Sequence, residues 1–207
     1  MAHLIRNLLR KMKYGQEVIV VSGLPRSGTS MMMRMLEGGG LAIMTDQVRT
    51  ADDDNPKGYY EFERVKDLET EKDKSYVKQA RGKVLKVISF LLKDLPSDNF
   101  YRVVFMRRDT DEILASQNKM LVNRGEENEV EDERLKELYK QHLLKVNSMV
   151  RWLPNYEMFE VHYKDAIDDP KSVARQVNQF LGGHLDEQKM HEAVDRKLYR
   201  NRKEGLT

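Results

Sequence analysis

The sequence predicts an α/β fold: a central parallel β-sheet of about four to five strands, flanked by helices. Three observations lead there. Apolar runs of strand length recur at 18–21, 84–88, 101–106 and 157–163. Segments with helical periodicity separate them, and strands alternating with helices imply a parallel sheet covered on both faces. The first run enters a glycine loop and then a helix, the arrangement that turns backbone N–H groups toward an anion.

Size and charge set the frame. The 207 residues suffice for one domain with a proper core, so residues 1–207 are read as a single unit. There are 36 Lys and Arg against 34 Asp and Glu, a net charge of +2. That balance excludes a protein that coats nucleic acid, which needs a large basic excess. The chain has no cysteine, so disulfides and thiolate zinc sites are excluded, and a reducing, cytoplasmic setting is expected. No stretch approaches the length of a membrane span.

Residues 1–13 place Leu4, Ile5, Leu8 and Leu9 among Arg6, Arg10, Lys11 and Lys13, which reads as a short basic amphipathic helix. Packing on the edge of the domain is the preferred reading, with contact to a membrane surface as the alternative. The first strand then enters Gly23-Leu24-Pro25-Arg26-Ser27-Gly28-Thr29-Ser30. Its spacing matches a Walker A loop at every fixed position but one: Thr29 stands where a nucleotide triphosphatase has its Lys. Without that Lys a triphosphate loses its main cationic contact. The loop amides, the hydroxyls of Ser27, Thr29 and Ser30, and the Arg26 guanidinium suit a shorter anion. The loop therefore reads as P-loop-type, built for a nucleotide phosphate and not for magnesium-dependent hydrolysis of ATP.

Met31, Met32, Met33, Met35 and Leu36 predict a helix that Gly38-Gly39-Gly40 ends, with the methionines as core filler. A short apolar run at 41–44 is the candidate fifth strand. Residues 45–61 carry Asn-Pro and Lys-Gly turn signals and read as a loop lining a pocket beyond the strand ends. Residues 62–80 are read as one charged helix with Val65, Leu68, Tyr76 and Val77 as its inner stripe. The strand at 84–88 contains Lys86, which needs a reason there, because burying a lysine without a partner is costly. Leu91, Leu92, Leu95 and Pro96 mark a short helix and its stop.

The strand at 101–106 runs into Arg107-Arg108-Asp109, with Asp109 as the cap of a helix over 110–122. A long helix over 130–152 carries Leu135, Leu138, Tyr139, His142, Leu143, Val146 and Val150 at helical spacing, which makes His142 a core or boundary residue. After the strand at 157–163, residues 165–169 form a turn and Pro170 starts a helix that ends before Gly182-Gly183. A last helix covers 186–194. Residues 196–207 are a basic tail, read as a frayed end, with folding over a phosphate as the alternative.

Arg108 and Ser116 form a second constellation. A strand-end Arg and a hydroxyl two helical turns later reach one anion if the helix folds back toward the strand's end. Joined to the glycine loop, this suggests a nucleotide with phosphates on both sides of its ribose.

Here the chain resembles the sulfotransferases that use 3′-phosphoadenosine-5′-phosphosulfate (PAPS), over about residues 18–182. Pro25-Arg26-Ser27-Gly28-Thr29-Ser30 looks like that family's 5′-phosphosulfate loop, in the form with Arg found in tyrosylprotein and many bacterial members. Arg108 and Ser116, at the family's eight-residue spacing, look like its 3′-phosphate pair. Asn55-Pro56-Lys57-Gly58-Tyr59-Tyr60-Glu61 resembles a segment common in bacterial members. Tyr163, before Lys164-Asp165, matches a tyrosine near the nucleotide in the cytosolic branch, and Phe180-Leu181-Gly182 matches a frequent closing triplet.

The resemblance implies metal-independent transfer of the sulfonate group of PAPS to a hydroxyl or amine, releasing adenosine 3′,5′-bisphosphate. Charge builds on the bridging and sulfonate oxygens, so fixed cations should dominate catalysis. Arg26 is the first candidate for that role. Lys86, which aligns with a catalytic lysine of cytosolic and tyrosylprotein members, is the second. Cytosolic members carry a catalytic His two residues further on, where this chain has Ile88, so the base comes from elsewhere. Asp46 is preferred, because it falls where tyrosylprotein members place a glutamate. Glu61 is the alternative and His162 a third. Arg202-Lys203-Glu204-Gly205 is a loose echo of the cytosolic branch's C-terminal Arg-Lys-Gly segment. The acceptor, a small molecule or a polymer, is expected among residues 46–60 and 119–130. Two rival readings stand beside this one. A small-molecule or nucleoside kinase needs a Walker Lys, which Thr29 denies, and a magnesium carboxylate, for which Asp109 is the candidate. A catalytically inactive PAPS-fold binding protein is left open by the missing His.

Overall fold

The computed structural model describes residues 2–46, 60–126 and 130–195, with side chains from residue 8 onward. Strands β1 (Val18–Gly23), β2 (Val84–Lys86), β3 (Tyr101–Arg107) and β4 (Tyr156–His162) pair in parallel in the order β2-β1-β3-β4. Along them run α1 (Ala2–Tyr14), α2 (Thr29–Gly38), α3 (Thr110–Arg124), α4 (Asp132–Trp152), α5 (Tyr163–Asp168), α6 (Pro170–Leu181) and α7 (Glu187–Glu192).

Alternation along β1 divides the core into two layers. Ile19 and Val21 pack with the α2 methionines, Val161 and the apolar sides of α5 and α6. Val18 and Val20 pack on the other face with Val65, Leu68, Tyr76, Val77, Leu92 and Val146. All six residues of β1 are buried, as a parallel sheet covered on both faces requires. The five apolar residues between Met31 and Leu36 are buried too, which makes α2 the central helix of its layer.

Residues 62–80 do not form the helix that their stripe suggests. Two 3₁₀ segments, Glu63–Asp67 and Ser75–Ala80, stand in its place. The stripe residues Val65, Leu68, Tyr76 and Val77 are buried nonetheless. Residues 69–75 are all polar, about two helical turns without an apolar contact. Asp73 accepts the Ser75 N–H there (3.0 Å) and starts a new turn. β2 stops at Lys86, and the 41–44 run contributes an isolated bridge, Ile43 to Val84, not a fifth strand. Tyr163, expected to end the last strand, lies past β4 and begins α5, a short helix where a turn is expected over 165–169. α4 buries Tyr139 and Val146 but exposes Leu138. His142 is a boundary residue as expected, with Nε2 2.9 Å from Ser89 Oγ and its ring on Phe90. The expectations for residues 47–59, 127–129 and 196–207, most of the 55–61 motif among them, lie outside the described residues. Among those described, no helix is long and apolar enough to cross a membrane.

Strand register sets out the site. Lys86 pairs with Val21, Met106 with Gly23, and Arg107 with His162. The glycine loop, Lys86, Arg108 and Tyr163 therefore leave the sheet along one edge. The chain goes from β1 to β2 on one side and crosses to β3 on the other, which makes the crevice between β1 and β3 a topological switch point, where open α/β sheets bind ligands.

Candidate active site

Close packing shapes the loop after β1. A Cβ at Gly23 would lie 2.4 Å from Ser27 Oγ and 2.7 Å from the Met106 carbonyl oxygen. Gly28 has φ +98°, and a Cβ there would meet Tyr163 Cδ2 at 2.3 Å. Between them Arg26 takes φ 66°, left-handed backbone that costs a non-glycine residue about 1–2 kcal/mol. Arg26 Nε donates to Ser116 Oγ (3.0 Å), and its carbonyl accepts from Arg108 Nη1 (3.1 Å). Leu24 supplies the apolar anchor, packed with Ile113 and Leu114 of α3 and with Tyr139. That packing brings α3, and so Ser116, against the loop.

α2 begins at Thr29 with no side-chain cap, so its first N–H groups face the loop. Ser27 is fully buried, and its Oγ has no hydrogen-bond partner among the described residues. A buried hydroxyl left unmatched costs about 1–3 kcal/mol, which an anion oxygen in the loop would offset. Pro25, Gly28, Thr29 and Ser30 are partly exposed around it.

Arg108 is deeply embedded. Its Nε donates to Glu112 Oε2 at 3.0 Å, with the two side chains 8% and 7% exposed. Its guanidinium carbon lies 4.6 Å from the centroid of the Tyr163 ring. Burial pushes the Tyr163 hydroxyl's pKa up, and the charges of Arg108, Arg34 and Arg26 oppose that rise. Three arginines thus converge on one tyrosine at the loop.

Arg34 is the residue that sequence reasoning missed. Its Nε and Nη1 are buried and have no hydrogen-bond partner among the described residues. Burial lowers its pKa, and Tyr60, Tyr163 and Asp195 are the neighbours that oppose the drop. Tyr60 itself donates to Glu37 Oε2 (2.7 Å), and burial and that bond push its hydroxyl up to about 12. The signal was present in the sequence: a lone arginine inside Met31-Met32-Met33-Arg34-Met35-Leu36 needs a reason as much as Lys86 does.

Across the loop, Lys86 has one. It is 9% exposed, and its Nζ lies 3.3 Å from Ser30 Oγ and 3.4 Å from Glu61 Oε1. Glu61 is held in turn by Lys66 (3.5 Å) and by Thr45 Oγ1, which donates to the Glu61 carbonyl (3.0 Å). Asp46 does something else: its Oδ2 accepts the Glu63 N–H at 2.6 Å, capping the first 3₁₀ segment. His162 is exposed at the end of β4, and Ile88 is 40% exposed where a base is absent. Asp109 Oδ1 accepts the Asp111 N–H (2.9 Å) as the cap of α3, the role expected of it. No group of three or more His, Cys, Asp or Glu able to hold a metal ion occurs among the described residues. A cavity of about 530 Å³ opens behind the β3–α3 corner, lined by Arg107, Asp109, Thr110, Lys136, Lys140 and Leu143, and none of the residues expected to bind or act on PAPS lines it.

The arrangement is thus an uncapped helix start with a buried hydroxyl, four cationic side chains around it, and one carboxylate beside a lysine. A family model described as sulfotransferase domain matches residues 16–205. The chain belongs to the sulfotransferase domain family. Comparison with curated proteins gives no match. Among solved structures, the fold is similar to the sulfotransferase domain from the Synechococcus PCC 7002 olefin synthase (TM-score 0.52, 17% identity, 92% of this chain and 82% of that one). It is also similar to the sulfotransferase domain from the curacin biosynthetic pathway (TM-score 0.50, 15% identity, 87% and 79%). At such identities the likeness concerns the fold: the four-stranded parallel sheet flanked by helices is that of sulfotransferase structures.

Proposed function

We propose that this sulfotransferase domain uses PAPS as donor and transfers its sulfonate to a hydroxyl or amine, releasing adenosine 3′,5′-bisphosphate. One observation carries the reading: Arg26 of the loop touches both Ser116 (side chain, 3.0 Å) and Arg108 (backbone carbonyl, 3.1 Å), so the two expected anion sites share a border. A single ligand with phosphates at two ends fits that adjacency better than two separate ions.

In this reading the loop amides and the Ser27 hydroxyl hold the 5′-phosphosulfate, and Arg108 and Ser116 hold the 3′-phosphate. Tyr163 fixes the loop through Gly28. The acceptor oxygen or nitrogen attacks sulfur, the bond from sulfur to the bridging phosphate oxygen breaks, and that oxygen leaves with the electron pair. Arg26 and Lys86 stand where that charge gathers, and preorganised cations of this kind contribute most when water is excluded. The acceptor's proton goes to Glu61, which sits beside Lys86, while Asp46 is engaged as a cap. Arg34 adds a third arginine to the donor's anionic side.

The test is transfer of labelled sulfonate from PAPS by the purified protein to a panel of phenols, sugars, lipids and peptides, with chelator present. Adenosine 3′,5′-bisphosphate should raise the thermal midpoint without magnesium, and Arg26→Ala should keep the fold and lose transfer by about 10²–10³-fold. Stabilisation by magnesium ATP, with no response to the bisphosphate, would refute the reading.

A further inference from the structure

The outer face of α1 is unlike that of a helix whose apolar stripe is packed on its own domain. At 100° per residue, Leu8, Met12 and Leu9 fall in one arc of about 100°. They are 61%, 77% and 59% exposed. The opposite arc is the docked one. Tyr14 is buried and stacks on Phe100 (6.3 Å between centroids), while Arg10 pairs with Glu157 and lies 4.5 Å over the Phe100 ring. Lys11 and Lys13, both exposed, flank the apolar arc on its two sides. No acidic residue occurs anywhere in Ala2–Tyr14.

We propose that this face of α1 docks on an anionic lipid surface, with Leu8, Leu9 and Met12 in the acyl boundary and Lys11 and Lys13 among the headgroups. The warrant is the pairing of the two chemistries. Three exposed apolar side chains in a row disfavour water and gain nothing from nucleic acid. Flanking lysines with no carboxylate between them disfavour self-pairing, which would set four lysines against one another. An anionic bilayer offers hydrocarbon to the centre of the arc and negative charge to its edges. Side-chain stems of lysine reach from one zone to the other. α1 is anchored through Phe100 and Glu157, at the end of β3 and β4 where the strands begin, so lipid contact there leaves the loop end of the sheet clear. The inference does not rest on the donor being PAPS.

The experiment is co-sedimentation of the full chain with phosphatidylcholine vesicles, with and without about one-third phosphatidylglycerol. The chain should partition to the anionic vesicles only, and release as salt rises. Lys11→Gln with Lys13→Gln should lower the partition coefficient by about fivefold per lysine. Leu8→Ser, Leu9→Ser and Met12→Ser together should abolish it without lowering the thermal midpoint, because all three side chains are exposed. A Leu9→Trp variant should show a blue shift in emission on the same vesicles, which keeps the test informative if the triple variant folds poorly. No partition to anionic vesicles, equal partition to both compositions, or unaltered binding of the triple variant overturns the proposal. So does a lipid-free dimer that the triple variant abolishes, since the face is then an interface between copies.

Discussion

Removing Arg108 should harm the protein twice, and the two harms can be separated. Arg108 and Glu112 are 3.0 Å apart with side chains 8% and 7% exposed. At an effective dielectric of about 20 such a pair attracts by about 5–6 kcal/mol, most of which offsets the cost of taking both charges out of water. Arg108→Met leaves Glu112 buried without that counter-charge, which should cost about 3–5 kcal/mol, a large share of the roughly 5–15 kcal/mol that holds a domain together. In Arg108→Met/Glu112→Leu the stranded carboxylate is gone, and most of that loss should return. Affinity for adenosine 3′,5′-bisphosphate behaves differently. Losing a charge-assisted contact to phosphate, at about 1.5–3 kcal/mol, should weaken binding about 10- to 150-fold in both variants. Urea denaturation measures the first quantity and calorimetric titration the second. If the double variant is no more stable than the single one, the buried pair is not what holds this corner. If the double variant binds the bisphosphate like the parent, Arg108 is not in the donor site.

Three further outcomes test the rest of the site. Glu61→Gln should lower kcat by about 10²–10⁴-fold in a transfer assay, whereas Asp46→Asn should cost about 1 kcal/mol of stability and little turnover, since Asp46 caps the Glu63 N–H; the reverse pattern would return the base to Asp46. Gly28→Ala forces a Cβ to within 2.3 Å of the Tyr163 ring at φ +98°, so it should destabilise the chain by at least about 1–2 kcal/mol and weaken the bisphosphate, read by thermal denaturation with and without ligand. Arg34→Gln removes a half-buried charge, two of whose nitrogens have no hydrogen-bond partner among the described residues, so it should leave stability level or raised while weakening the bisphosphate about tenfold or more; unchanged binding in calorimetry would place Arg34 outside the donor site.

Much of this was legible because the same physics wrote both the pattern and the fold. Val18 to Val21 had to be a strand buried on both faces, and the glycines after it had to be a tight turn, since Gly23 and Gly28 leave no room for a side chain. Lys86 could be singled out because a lysine in an apolar run is expensive, and it proved to face Ser30 and Glu61. Three things were harder to read. Val65, Leu68, Tyr76 and Val77 fit one helical stripe, but seven polar residues interrupt it, and the chain used two 3₁₀ segments to bury the same side chains. What sets Asp46 apart from Glu61 is a backbone N–H, that of Glu63, which no side-chain pattern reports, and the proposal of Glu61 as base rests on it. Arg34 was overlooked because a methionine-rich helix draws attention to packing, although the rule applied to Lys86 would have found it.

Three of the four cations around the loop have a protein group against them: Lys86 has Glu61, Arg108 has Glu112, and Arg26 has the neutral Ser116 hydroxyl. Such matching has two consequences for a ligand that carries charge at both ends. It lets like charges sit close together, because Lys86 and Arg108 each face a carboxylate, at 3.4 and 3.0 Å. It also means that a bound phosphate competes with these partners. The Ser116 hydroxyl accepts from Arg26 and keeps its own O–H to donate to a 3′-phosphate, so one hydroxyl can link Arg26 to the second anion site. Arg26 itself takes φ 66°, and its carbonyl accepts from Arg108, so its backbone also touches the second candidate anion site. A donor lacking the 3′-phosphate would leave that chain of hydrogen bonds without its anion and Arg26 less firmly oriented. Recognition at one end of the nucleotide would in this way govern catalysis at the other. An Arg26 that reaches the sulfonate equally well with and without the 3′-phosphate would break that link.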